Sequence, residues 1–509
     1  MTLLHTQSTD MSREYCATVV QIGEVKPIEN SDFLATVMVE GREIVVRKDR
    51  VKEGDIMIYV SNECQLDYNF LHYNCEFEDI TLNANYSEVI KHVEEMKKQQ
   101  ATPDEIKEYI AKNRGYFDNK CRVRMKRLRG VQSMGYLITP DQMTTYNSEL
   151  SHYPWEQFIG DDFDTVCGNL FVKAYVPPVK ENDHVGTGKG RYEKRIKKYN
   201  RMIAGQFAFH YDTTPLNKCI SRFTPDMHVT ISLKEHGTSA IFGNVKVRNP
   251  RWGGLYARWF NYLPKFAQFT TEQYDVIYSS RSVIKNSTYN PGVTDGFYNV
   301  DVWNSYYQIL KDVIPQGMTL YGEIVGYVTD STKGIQSMDG KVFDYGCKPG
   351  ENQLMIYRVH RVEENGQVFE YNVCDVHDYT EFELIPALQK LDEKNGTNYA
   401  SHIKPITILY EGTLKDLYPD LDVENHWHEN LLERMKHDQR FAMEQNEPMC
   451  KNKLPREGIV LRIDNDPLNE AFKLKCLKFL GKEAEEMDKG NADDIEMQER
   501  YNNENEEVE

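Results

Sequence analysis

The stretch V-T-I-S-L-K-E-H-G-T-S, residues 229–239, decides how the rest of the chain is read. Val229, Ile231 and Leu233 alternate with Thr230, Ser232 and Lys234, the period of a strand with one apolar face. Lys234 therefore stands on the polar face at the strand's end. Gly237 follows three residues later and is expected to let the backbone turn sharply, with Thr238 and Ser239 adding hydroxyls and amides. Such a strand mouth can set an amine beside a phosphate. A solvated lysine before a hairpin fits the eleven residues equally well, so later segments must decide.

Four of them put polar groups on strands that otherwise look like core. L-Y-G-E-I-V-G-Y (320–327) holds Glu323 in an apolar run between Gly322 and Gly326. A carboxylate there is costly to bury without a partner, so it binds something or sits at a mouth. L-M-I-Y-R-V (354–359) offers Tyr357, a flat ring that can stack on a base or pack in a core. E-G-I-V-L-R-I (457–463) opens with Glu457; both faces of that strand read as covered, so its place at the mouth aims the carboxylate. Carboxylates so placed are typical magnesium ligands beside phosphates. In A-F-K-L-K-C-L (471–477), Lys473 and Lys475 share a face about 6.6 Å apart at their origins. An anion between them relieves their repulsion, and a triphosphate fits; two surface lysines are the plainer reading.

Length and composition set the frame. At 509 residues two or three domains are expected. The opening M-T-L-L-H-T-Q-S-T-D has no basic, apolar pattern of a signal peptide. No apolar run approaches the roughly 18–20 residues of a membrane span. Ten scattered cysteines without a C-x-x-C pair read as reduced thiols, and the expected location is intracellular and cytoplasmic. The net charge is −18, but residues 483–509 carry 12 acids and 2 bases, so the remainder holds only −8. The overall sign thus does not exclude a nucleic-acid partner.

Before the decisive stretch, residues 14–65 read as short strands. Runs at 16–22, 33–39, 43–46 and 56–60 are divided by Glu40-Gly41-Arg42 and by V-K-E-G-D at 51–55. This spacing suggests a small β-barrel, of which the oligonucleotide-binding (OB) fold is one form. Residues 86–98 and 103–112 look helical, and Thr102-Pro103-Asp104-Glu105 is a strong helix start. A charged helical insert is expected over about 73–118, with strand character returning at 121–138. Arg122, Arg124, Lys126, Arg127 and Arg129 lie in that return, the first three on one face by strand parity. They suit a phosphate backbone, or a charged edge strand that blocks aggregation. The barrel is expected over 1–140 and a connecting segment over 141–215. Within the connector, residues 189–201 carry seven cations (Lys189, Arg191, Lys194, Arg195, Lys197, Lys198 and Arg201) with Tyr192 and Tyr199 between them, an RNA-binding pattern or a basic linker. An α+β domain with antiparallel sheets is expected over 216–481, followed by an acidic disordered tail over 482–509 that suits a protein partner.

The ordered set is more telling than any member: K-E-H-G-T-S, S-S-R-S at 279–282, Y-G-E, E-G-I-V-L and K-L-K. Over about residues 205–480 it resembles the covalent nucleotidyltransferases, the superfamily of polynucleotide ligases and messenger-RNA capping enzymes. The histidine two places after the lysine resembles the RNA-ligase branch, since DNA ligases and capping enzymes usually show K-x-D-G. V-K-E-G-D-I-M-I-Y-V (51–60) and R-L-R-G-V-Q-S-M-G-Y-L-I (127–138) resemble the amino-terminal OB domain of one RNA-ligase group. In the other branches a barrel follows the K-x-K segment, and here only 34 residues follow Lys475.

The resemblance implies an α+β, ATP-grasp-like nucleotidyltransferase domain preceded by an OB-type barrel, acting as an ATP-dependent RNA ligase. Lys234 would attack the α-phosphate of ATP and carry AMP, which passes to an RNA 5′-phosphate before a 3′-hydroxyl seals the ends, in RNA repair. Arg281 and Glu323 would hold the ribose side, and Tyr357 would stack on adenine. Glu457 would bind Mg2+ or Mn2+, and Lys473 and Lys475 would hold phosphates. His236 would sit near the phosphates or orient the site, and Gly237 and Ser239 would help bind ATP. Partial desolvation and the neighbouring charges of Lys473, Lys475 and magnesium are expected to lower the Lys234 pKa so that its amine can attack. A monomer is expected. A DNA ligase, a GTP-using capping enzyme and an inactive RNA-binding relative remain the alternatives. Two positions depart from some family members: Ser239 stands where some have asparagine, and Arg358 where some have aspartate.

Overall fold

The computed structural model describes residues 3–6, 15–175 except 30 and 63, 201–290 except 211 and 212, 298, and 300–489 except 467–469. The basic run at 189–200 and the tail at 490–509 lie outside the described residues. The chain divides into two compact units, Met1–Tyr175 and Val176–Glu509.

In the first unit, Leu34–Val39 and Arg42–Arg47 pair as an antiparallel hairpin. Glu40 and Gly41 both take positive φ, the two-residue turn whose twist matches a hairpin. A four-stranded sheet runs in the order Tyr136–Ile138, Ile56–Val60, Ala17–Gln21, Asp162–Phe163. Its inner residues Ala17, Val19, Ile58 and Ile138 are fully buried. Helices occupy Tyr86–Lys98 and Pro103–Lys112, the latter opened by a Thr102/Glu105 capping box. The ends of this insert are drawn together, Gly115 N–H donating to Phe77 O and Phe117 N–H to Glu76 O.

Residues 141–175 do not serve as a connector. Phe163, Val166, Phe171 and Val172 are buried in the same core as Val19 and Ile58. Their strands are only two or three residues long, too short for a periodic signal. Residues 482–488 are not part of a disordered tail: they belong to the helix Leu477–Asp488, which buries Phe479, Leu480, Ala484 and Met487.

The second unit is built on two sheets. One runs in the order Thr214–Pro215, Ala471–Lys475, Gly458–Ile463, His228–Lys234, Ile408–Thr413. Val229, Ile231, Ile459, Leu461, Phe472 and Leu474 project from it into a core shared with Leu431 and Met435 of the helix Trp427–His437. The other runs Thr270–Ser279, Thr238–Pro250, Met318–Gly326, Asn352–Val362, Val368–Glu370. Ala240, Phe242, Leu320, Ile324 and Ile356 bury its outer face against Trp303, Tyr306 and Leu310 of the helix Val302–Leu310. Only Glu235, His236 and Gly237 separate the Lys234 strand of one sheet from the Thr238 strand of the other. Among the described residues no helix is long and apolar enough to cross a membrane, and all ten cysteines are free.

Candidate active site

Strand register gathers the polar residues that the sequence scatters. Lys234 pairs with Gly458, and Gly458 with Lys475; Ser232 pairs with Val460, and Val460 with Lys473. At about 4.8 Å per strand, Lys475 lies roughly 10 Å across the sheet from Lys234. All of these residues share the face opposite Ile231, Ile459 and Leu474, which are buried in the core. Val460 is half-buried and Arg462 buried on that face, while Ile459 and Leu461 are buried on the other, so both faces of the Glu457 strand are largely covered. Gly458 keeps the strands close: a Cβ there would come within 2.2 Å of Leu474 O.

On the other sheet, Ser239 pairs with Glu323 and Glu323 with Met355. The register slips between Tyr321, opposite Arg358, and Gly322, opposite Ile356, leaving Tyr357 as the extra residue of a β-bulge. Bulges re-aim side chains. Here the Tyr357 hydroxyl lies 2.9 Å from His210 Nδ1. Burial, followed by the Glu323 carboxylate, pushes the Tyr357 phenol well above its ordinary range.

The connecting turn is pinned at four points. His236 N–H donates to Tyr345 Oη at 2.7 Å and Gly237 N–H to Glu323 Oε1 at 3.1 Å. Gly237 O accepts from Gln336 Nε2 at 3.0 Å, and Ser239 O from Trp303 Nε1 at 2.9 Å. The role expected for Gly237 changes. Its backbone is not left-handed; instead a Cβ would sit 2.3 Å from Ile324 O and 2.8 Å from Glu323 Cγ. Close approach, not turn geometry, demands glycine.

Lys234 Nζ lies 2.7 Å from Glu457 Oε1, with the lysine side chain 25% exposed and the carboxylate 4%. Burial disfavours the Lys234 cation, and Lys475 opposes it too, but Glu457 and Glu323 outweigh both and hold its pKa above the usual value. This reverses the expected lowering: the two carboxylates outweigh the desolvation and the cation charge on which that expectation rested. Burial likewise opposes the Glu457 anion, yet Lys234 and His236 hold it well below the usual carboxylate range. Glu457 Oε2 accepts no hydrogen bond; His236 Nδ1 stands 3.5 Å away. The His236 ring is held edge-on between Phe343 and Phe479, with centroids 4.9 and 5.0 Å away.

The anion expected to relieve the repulsion between Lys473 and Lys475 has a counterpart within the chain: Lys475 Nζ lies 3.2 Å from Glu483 Oε2 on the helix Leu477–Asp488. Arg281 is half-buried just past the strand Thr270–Ser279, its carbonyl accepting from His210 N–H at 3.3 Å. Burial and the charges of Arg281, Lys234, Arg358 and Arg462 keep His210 neutral, far below the usual histidine range. Arg358 takes both oxygens of Glu370, at 3.2 and 3.0 Å. Arg462 is buried, its pKa lowered to about 10 by burial and by Arg358, and its Nη1 makes no hydrogen bond.

His210, Tyr345, Phe343, Phe479 and Glu483 are missing from the sequence-based set. Nothing in the sequence around His210 marks it. Arg462 had a signal that could have found it, a cation inside the apolar run 459–463, which is costly unless it serves a purpose.

The basic stretch of the first unit is largely used internally. Its strand spans only Lys126–Leu128, so strand parity does not govern the first two cations. Arg122 is 1% exposed and lies over the Tyr175 ring. Arg124 and Lys126 both contact Glu78 Oε1 at 2.9 Å. Arg127 and Arg129 are exposed. In the second unit, Arg201, read as the end of the basic run, is buried and donates to Arg248 O and Thr288 O.

Residues 16–89 match the model of an OB-fold domain family. No curated protein matches the chain. Among solved structures the chain is similar to a Naegleria gruberi RNA ligase with PPi, at 17% identity over 92% of this chain and 98% of that one, with a TM-score of 0.48. A lysine-to-alanine variant of that ligase with ATP and Mn matches at 16% identity over 92% and 97%, with a TM-score of 0.46. A lysine-to-methionine variant with AMP and Mn matches at 17% over 92% and 98%, also at 0.46. At that level of likeness, what this chain does must come from its own site.

Proposed function

We propose that the protein is an ATP-dependent RNA ligase that joins 3′-hydroxyl and 5′-phosphate RNA ends through a lysyl-AMP intermediate, in RNA repair. The observation that carries this reading is the row Lys234–Gly458–Lys475 across three adjacent strands, with Glu457 at 2.7 Å from the Lys234 amine. A nucleophile, a carboxylate and a second cation at one sheet end are what lysine attack on a nucleotide phosphate requires.

In this reading Lys234 first gives to solvent the proton that Glu457 helps it hold. The neutral amine then attacks the α-phosphorus of ATP, an N–P bond forms as a second amine proton leaves to solvent, and pyrophosphate departs with the electron pair of the broken P–O bond. Lys473 and Lys475 stabilise the phosphate oxygens as charge shifts. His236, Gly237 and Ser239 line the phosphate side, while Arg281 and Glu323 hold the ribose. Tyr357 stacks on adenine, aimed by its bulge and by His210. AMP then passes to an RNA 5′-phosphate, and the RNA 3′-hydroxyl displaces it. The barrel, with Arg127 and Arg129 exposed, contacts RNA; Arg122, Arg124 and Lys126 support it from within.

Among the described residues no three His, Cys, Asp or Glu side chains converge on a metal position. A single carboxylate still fits magnesium or manganese, which keep several waters and share the substrate's phosphates. Glu457 would hold the ion through Oε2, which accepts no hydrogen bond. Bound there, the ion would neutralise phosphate charge and weaken the hold of Glu457 on the Lys234 proton.

The test is covalent labelling with α-labelled ATP and magnesium. Wild type is expected to label and Lys234→Ala not to label. Absence of wild-type label across pH and metals, or equal label in Lys234→Ala, overturns the reading. Competition with GTP, and nicked duplexes with RNA or DNA 3′ ends, separate RNA ligase from capping enzyme and DNA ligase.

A further inference from the structure

The strands Thr238–Pro250 and Thr270–Ser279 pair without a slip from Ile241 opposite Ser279 to Pro250 opposite Thr270. Nine steps at about 3.3 Å make a ribbon on the order of 30 Å long. One end carries Ser239 and leads into Arg281 at the candidate active site. The other ends in the loop 251–269.

That loop is built, not loose. Tyr256 Oη donates to Ala267 O at 2.8 Å and accepts from Phe269 N–H at 2.6 Å. Gln268 Nε2 donates to Phe260 O and Leu263 O, and Phe260 is 2% exposed. Yet Trp252, Leu255, Trp259, Tyr262, Phe266 and Phe269 remain 50–84% exposed. Isolated exposed apolar side chains are ordinary, but six within 18 residues of an ordered loop mark a binding surface.

Its charge selects the partner. Residues 236–271 contain no acid, in a chain of net charge −18, and carry Lys246, Arg248, Arg251, Arg258 and Lys265. Arg248, Arg251, Arg258 and Lys265 are exposed. The Arg251 guanidinium lies 5.7 Å from the Trp252 ring centroid. Five of the six exposed apolar side chains are rings, the group on which unpaired bases stack, and the cations suit a phosphate backbone.

We propose that the loop 251–269 is a platform for single-stranded RNA, holding the strand whose end reaches Lys234 along the ribbon. This deepens the ligase reading and rests on it for the direction of the strand, but not for binding itself. Bases would stack on Trp259, Tyr262 and Phe266, and phosphates would pair with Arg251, Arg258 and Lys265.

The test uses the full chain and a fluorescein-labelled single-stranded RNA of about 20 nucleotides, read by anisotropy without ATP or metal. Binding is expected to weaken with salt. It should fall tenfold or more in Trp259→Ala/Phe266→Ala and in Arg258→Glu/Lys265→Glu. Covalent labelling by ATP is expected to stay at the wild-type level in both. These side chains are exposed, and a melting curve for each variant checks the fold. Unchanged RNA binding in both variants overturns the platform. So does RNA binding that survives while the same variants lose association with anionic phospholipid vesicles, or lose a dimer seen by sedimentation. Failure of ATP labelling in wild type with RNA binding intact strikes the ligase reading and leaves the platform standing.

Discussion

Lys475 and Glu483 are bound to each other across the edge of the candidate active site, Nζ to Oε2 at 3.2 Å. One belongs to the strand Ala471–Lys475 and the other to the helix Leu477–Asp488. Both side chains are less than a fifth exposed, so the pair is not a screened surface contact. A triphosphate that uses Lys475 must compete with Glu483. Glu483→Gln is therefore expected to lower the KM for ATP in covalent labelling several-fold, and Lys475→Ala to raise it. A raised KM in Glu483→Gln would mean that Glu483 positions Lys475 rather than competing for it.

Lys234 and Glu457 give a pH-dependent prediction. The Glu457 pKa is depressed in the folded chain, so its pairing stabilises above the ordinary carboxylate value and is lost as pH falls through the folded one. Lys234→Met leaves Glu457 buried with only His236, 3.5 Å away, and the more distant Lys475 to offset its charge, at a cost on the order of 3 kcal/mol near neutral pH. Without the lysine, burial raises the Glu457 pKa, and protonation then relieves the cost. Urea melts between pH 8 and pH 5 should show the gap between variant and wild type narrowing as pH falls. A gap constant across that range would show that the pair does not control Glu457.

Tyr357 should act through its ring more than its hydroxyl. Stacking of a base on an aromatic side chain is worth about 1–3 kcal/mol. Tyr357→Ala is expected to raise the KM for ATP tenfold or more. Tyr357→Phe keeps the ring and loses the hydroxyl's contacts with His210 and Ser239, and a change within about threefold is expected. Equal defects in the two variants would place the tyrosine's role in its hydroxyl contacts instead.

Much of this site was legible because strand parity is a strong constraint. Lys234 had to oppose Ile231, and Lys473 and Lys475 had to oppose Phe472 and Leu474, and they do; that the three lysines share one face comes from the register of the strands, which parity does not give. The order of the segments supplied the rest through a resemblance that no single segment carried. What was not legible came from contacts between distant elements. The bulge at Tyr357 depends on the register with Tyr321, which local sequence does not encode. The raised Lys234 pKa depends on how near Glu457 and Glu323 come, which parity does not give. Arg122 and Arg124 misled because their segment only becomes a strand at Lys126, so a count by twos had no strand to rest on. The strands at 162–174 were invisible for the opposite reason: each is too short to show a period.

Gly237 offers a test of the turn that joins the two sheets. A methyl at Gly237 would meet Ile324 O at 2.3 Å, a backbone atom in the middle of a paired strand that cannot step aside cheaply. It would also press Glu323 Cγ at 2.8 Å and Val325 Cγ1 at 2.9 Å. Overpacking of this kind typically costs about 1–3 kcal/mol. The larger effect should fall on the site, because Gly237 N–H donates to Glu323 and Gly237 O accepts from Gln336. Displacing the turn shifts Lys234 and Glu323 together. Gly237→Ala is thus expected to retain a cooperative urea transition at a lower midpoint while losing covalent ATP labelling almost entirely. A control at Gly253, where a Cβ meets nothing within 4 Å, should label as wild type. Full labelling in Gly237→Ala would show that the turn can relax without moving the nucleophile, and that the close approach at Ile324 is not what fixes Lys234.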